Sequence, residues 1–137
     1  MKGAYALLTL PALFAVLGLI STEALAHTAC LQGDYQDAHG KLILQVQAHH
    51  HEATLQEVGS GAHYTVRMLG AAAKRELWQQ QGWAVAAMKG AECGADASRQ
   101  HVVCMLSQPG GEPVPAARGF NSVYVAPDHA VRWLHLQ

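Results

Sequence analysis

The chain contains nine histidines among its 137 residues, and they are the first side chains that invite chemistry. Three are consecutive, His49-His50-His51, and another, His27, follows Ala24-Leu25-Ala26. A histidine at a chain start offers copper both its amine and its imidazole, and a second imidazole can complete such a site. Neighbouring residues on a strand point to opposite faces, so the triplet could gather ligands only on a turn. Its ordinary reading is a solvated polar turn. Cys30, Cys93 and Cys104 permit one disulfide in any of three pairings and leave one thiol over. No Cys-x-x-Cys spacing marks a catalytic thiol. The stretch Val58-Gly59-Ser60-Gly61-Ala62-His63-Tyr64 sets a serine hydroxyl between two glycines. Glycine tolerates positive φ, so such a turn can be narrow and leave the hydroxyl uncrowded. It is not a nucleophile elbow, which needs G-x-S-x-G between a strand and a helix. No phosphate-cradling loop or dinucleotide fingerprint occurs, and no two carboxylates are spaced as a glycosidase acid and nucleophile. These observations favour a binding protein over an enzyme and assign no cofactor and no metal site.

The elements that must position these residues read mostly as strands. Leu42, Leu44 and Val46 alternate with Ile43, Gln45 and Gln47, so 41–48 is a strand with one buried face. Residues 52–58 follow as a second strand, and Tyr64, Val66 and Met68 mark a third. Further strands are expected at 83–88, 101–106, 120–126 and 129–136, the last two joined as a hairpin at Pro127-Asp128. The run 71–77 is rich in helix formers and could make a short helical turn near 70–76 or a loop feeding a strand at 75–80. Six to eight short strands in one domain suggest an all-β fold, either a small closed antiparallel β-barrel, in which closure removes exposed edges, or a sandwich.

Lysine plus arginine is 9 and aspartate plus glutamate 10, a net charge of -1, while half of the residues are apolar. There is enough apolar material for a core and no basic excess to hold a nucleic-acid backbone. Residues 1–26 have the pattern of a secretory signal peptide. Lys2 precedes an apolar run from Ala6 to Ile20, shorter than a membrane span, and Ala24-Leu25-Ala26 is a small-x-small cleavage site. The reading is an exported, periplasmic protein that does not span the membrane after cleavage. Residues 27–137 then form a single domain, in a compartment that permits a disulfide.

The heptad 58–64 resembles the first signature of the c-type lysozyme inhibitor family, close to S-x-S-G-A-[KR]-Y. Ser60, Gly61, Ala62 and Tyr64 match, whereas Val58 and His63 replace the first serine and the basic residue. Leu77 to Ala84, with Trp78 and Trp83, loosely resembles the family's next strand. There Gln80 or Gln81 stands where the family has a lysine. Val103-Cys104-Met105-Leu106 is similar to its closing strand. The likeness spans about residues 30–106, and the segment 69–76, the third cysteine and the tail 109–137 depart from it.

This resemblance implies a small antiparallel β-barrel of about eight strands, with strand rather than helix near 75–80, and a Cys30–Cys104 bridge that leaves Cys93 unpaired. It implies a proteinaceous inhibitor that occludes the cleft of a peptidoglycan-cleaving glycosidase, with Gly59, Ser60, Gly61, Ala62, His63, Tyr64, Gln80 and Gln81 facing the target. The target would be a c-type lysozyme, or a muramidase-type toxin against which the protein gives immunity. The reading from another class is a periplasmic copper-binding protein using His27 and members of His49 to His51.

Overall fold

The computed structural model describes residues 28–107, 118–128 and 130–137. Residues 1–26, where a signal peptide is expected, His27 and most of the tail's first half lie outside the described residues. Eight strands form one closed barrel: β1 (Gly33–Gln36), β2 (Leu42–His49), β3 (Glu52–Glu57), β4 (His63–Met68), β5 (Glu92–Ala95), β6 (Val102–Met105), β7 (Ser122–Val125) and β8 (Val131–Leu136). Each is antiparallel to the next, and β1 closes the ring on β8 through Tyr35 opposite Leu136 and Gln36 opposite His135. The expected small all-β barrel is therefore the fold. Chain-order pairing puts the β1–β2, β3–β4, β5–β6 and β7–β8 turns at one mouth.

Two cores sit on opposite sides of the barrel wall. Inside, Leu44 and Val46 of β2, Ala53 and Leu55 of β3, Val66, Val103, Tyr124 and Leu134 pack with Leu31 and Tyr35. This is the period-two alternation of the sequence folded into a ring. Leu31 enters from the segment before β1, and the Tyr35 hydroxyl donates to its carbonyl at 2.6 Å. Gly94 makes room for it, since a Cβ there would lie 2.8 Å from Leu31 Cδ1.

The outer core lies between β5–β7 and a helix, α1 (Ala71–Gln81), joining β4 to β5. Leu77 and Trp78 cover Cys93, Ala95, Val102, Cys104, Val123 and Val125. β6 and β7 are thus buried on both faces, which explains their near-continuous apolar sequences. This helix corrects the expectation of a strand at 75–80. Helix formers run through 71–77, and Gly82, at φ 71°, ends the helix with its N–H on the Gln79 carbonyl. Lys74 Nζ reaches the Ala91 carbonyl at 2.9 Å and ties the helix to the strand that follows.

The expected strand at 83–88 is also absent. Val85–Met88 is one turn of 3-10 helix, and Trp83 packs edge-on to Trp78 at 5.0 Å and against Trp133 at 5.3 Å. Its aromatic side chain serves the outer core rather than a sheet. The strand places are filled instead by the four-residue β1 and β5.

The disulfide joins Cys93 to Cys104, not Cys30 to Cys104. Cys93 and Cys104 are directly opposite on β5 and β6, with Cα atoms 4.0 Å apart. Both face outward beneath α1, whereas Cys30 packs against the inner core. The barrel wall separates Cys30 from Cys104, and geometry decides the pairing. Burial, then the Glu92 carboxylate, push the Cys30 thiol's pKa up.

Candidate functional site: the β3–β4 turn and the barrel mouth

Residues 58–62 form the turn between β3 and β4. The Glu57 N–H donates to the Ala62 carbonyl at 2.9 Å, and the Gly61 N–H returns to the Glu57 carbonyl at 2.8 Å. Gly61 adopts φ 73°, which a side chain would strain. Ser60 Oγ accepts the Ala62 N–H at 3.2 Å and donates to Glu57 Oε1 at 3.2 Å. The turn is exposed along Val58–Gly61, yet its conformation is fixed by four short-range bonds. Ser60 and Gly61 together set this conformation.

Beneath the turn, inward positions of β3, β4 and β7 meet residues of the β5–β6 connection. Glu57 continues the inward row of Ala53 and Leu55, so its carboxylate lies at the mouth. It receives three hydroxyls: Ser60, Tyr64 at 3.4 Å on Oε1, and Tyr124 at 3.0 Å on Oε2. The Tyr64 ring stacks on His101 with centroids 3.6 Å apart. His101 Nδ1 lies 3.0 Å from Asp96 Oδ2, and Asp96 Oδ1 accepts the N–H groups of Gln100 and His101.

The electrostatics follow from these contacts. Burial, reinforced by the Glu57 carboxylate, raises the pKa of Tyr124 and, less strongly, of Tyr64. For Asp96, burial pushes upward, but hydrogen bonds from the His101 side chain and backbone and from Ser98 outweigh it and leave the pKa lowered. Beside the turn a groove of about 570 Å³ is lined by Lys41, Leu44, Glu57, Ser60, Tyr124 and Arg132, among others.

The remaining sequence-predicted residues do not converge on this groove. His63 is exposed and belongs to the outer face with Gln47, Thr54 and Gln56, opposite to Tyr64 across the wall. Gln80 lies on the last turn of α1 beside Leu69, Arg99 and Val102, and neither Gln80 nor Gln81 bonds to residues 59–64 among the described residues. The stretch holding these glutamines is helical and covers β5–β7. Glu57, Asp96, His101 and Tyr124 were missed by motif. One signal for Glu57 was present, a carboxylate on the buried parity of a strand.

His49 ends β2, while His50, at φ 55°, and His51 form the two-residue turn to β3. All three are exposed. Among the described residues no group of three or more His, Cys, Asp or Glu side chains is close enough to hold a metal ion, and no helix is long and apolar enough to cross a membrane. Compared with protein-family models, curated proteins and solved structures, the chain matches none.

Proposed function

We propose that the protein is an exported inhibitor that occludes the active-site cleft of a peptidoglycan-cleaving glycosidase. The target is a c-type lysozyme or a muramidase-type toxin, and the segment that enters is the turn 58–62. The observation that carries this reading is the turn itself: exposed at its tip, narrow at Gly61, and held by bonds to Glu57 and Ala62. A loop already fixed in one conformation loses little entropy on entering a cleft, so more of its contact energy appears as affinity. The sequence likeness at Ser60-Gly61-Ala62 and Tyr64 points to the same segment. Tyr64 braces the exit of the turn through Glu57 and His101 rather than contacting the target.

In this reading Ser60 turns its proton from Glu57 Oε1 to a carboxylate of the cleft, one charged acceptor replacing another. The net gain is then at the low end for a hydrogen bond to a charged group, about 1.5 kcal/mol. Ser60→Ala should weaken binding about 10-fold, measured by titration calorimetry against a c-type lysozyme and a bacterial muramidase. It should also raise the concentration needed to stop lysis of a cell-wall suspension. An unchanged affinity in the variant removes the turn from the interface. The bridge and the glutamine positions implied by the resemblance are not part of this proposal.

A further inference from the structure

We infer that Lys41 and Arg132 form a cationic clamp that receives a carboxylate of the partner in the groove beside the β3–β4 turn. The inference rests on the inhibitor reading above and names the charged half of its recognition.

Three cations of the described residues are held by other groups. Arg67 is bonded to Glu52 through two nitrogens. Arg99 lies 3.6 Å from Glu76, and Lys74 is committed to the Ala91 carbonyl. Lys41 and Arg132 are both exposed, both line the groove that Ser60 also lines, and neither forms an ion pair with a described residue. They come from separate hairpins. Lys41 immediately precedes β2, and Arg132 lies on β8 opposite Tyr124.

The groove's anions are differently placed. Both oxygens of Glu57 already accept hydroxyl protons, and Asp128 Oδ1 accepts the Ala130 N–H. An incoming carboxylate therefore meets two cations without a close ion pair, Lys41 feeling the neighbouring Asp37 charge, and two anions whose charge is partly spent on internal donors. A charge-assisted hydrogen bond is about twice as strong as a neutral one, so these side chains fit an acidic cleft better than Gln80 and Gln81 would. With a net charge of only -1, the chain as a whole provides little steering, and a local pair of cations supplies both register and attraction.

The test uses residues 27–137 carrying Lys41→Glu with Arg132→Glu, compared with Arg75→Glu with Lys89→Glu. The latter make the same change in net charge away from the groove, at exposed positions. Binding to a c-type lysozyme and a bacterial muramidase is measured by surface plasmon resonance, at low salt and at about 0.5 M salt, with thermal unfolding as a check on folding. The groove pair should lose about 100-fold in affinity, largely in association rate, with the loss shrinking at high salt. The distant pair should lose about 3-fold at most. Equal losses in both pairs, or none in the groove pair, overturn the clamp while leaving the inhibitor reading in place. Failure of the unsubstituted protein to bind either enzyme overturns that reading and the clamp with it.

Discussion

Glu57 and Tyr124 are hydrogen-bonded side chain to side chain at the barrel mouth, and removing either has an asymmetric cost that a double-mutant cycle can measure. Tyr124 is 2% exposed, and its hydroxyl donates to Glu57 Oε2 at 3.0 Å. Tyr124→Phe deletes a bond to a charged acceptor. Because the carboxylate borders an open groove, solvent takes the vacated oxygen, and the loss should be about 1.5 kcal/mol, the low end of the range. Glu57→Leu instead leaves the Tyr124 hydroxyl buried with no acceptor, a penalty of ~1–3 kcal/mol. The longer contacts from Ser60 and Tyr64, at 3.2 and 3.4 Å, add little because those hydroxyls lie near solvent. We expect about 2 kcal/mol for this substitution. In the double variant the orphaned hydroxyl is gone, so the loss should be about 1.5 kcal/mol rather than the ~3.5 kcal/mol of simple addition. Urea denaturation of all four proteins gives the coupling directly. In a domain of this size each kcal/mol also moves the melting temperature by about 4 °C. Additivity within ~0.5 kcal/mol would refute the claim that the carboxylate is the acceptor satisfying Tyr124.

Two further outcomes follow from the packing. Cys93→Ala with Cys104→Ala opens a loop of sequence separation 11 and should cost about 3 kcal/mol; non-reducing peptide mapping of the unsubstituted protein should join Cys93 to Cys104. Tyr35, deep in the barrel, has its pKa raised by burial and then by Cys30. Its contribution to stability is therefore complete below the unfolded tyrosine value of 10.0 and declines as pH rises above it, by about 1.4 kcal/mol per pH unit. Denaturant midpoints measured between pH 8 and 11 should fall above pH 10 in the unsubstituted protein. They should fall less steeply in Tyr35→Phe, and equal slopes would exclude a proton-bound Tyr35 in the fold.

The sequence reveals those parts of this fold that depend on local alternation. Leu44 and Val46, Val66, and Leu134 are buried where period two puts them, and the Pro127-Asp128 turn joins β7 to β8 as its residue types require. The helix is harder to read because tertiary context decides it. The run 71–77 has helical propensity, but Leu77 and Trp78 do not distinguish a helix lying on β5–β7 from a strand within the sheet. Trp83 misleads for the same reason, since its aromatic side chain suits a strand but here packs between Trp78 and Trp133. The disulfide depends on which side of the wall each cysteine occupies. Cys93 and Cys104 face outward because β5 and β6 pair in that register, and no spacing rule contains that information.

The site divides along the same line. Residues 58–62 are contiguous, so their turn chemistry is local, and both the positive φ of Gly61 and the bond from Ser60 Oγ to Ala62 are foreshadowed by residue type. The floor of the mouth is not local. Glu57 and Tyr124 are 67 residues apart and meet only because β7 and β3 both send inward positions to the same mouth. Lys41 and Arg132 share a groove for the equivalent reason on its rim. Closing the barrel thus converts scattered single residues into a site, while leaving His63, a neighbour of Tyr64 in sequence, on the opposite face. On the proposed inhibitor reading, the charged companions of the turn are Lys41, just before β2, and Arg132 of β8, so substitutions at these two residues test that reading more directly than substitutions at Gln80 and Gln81.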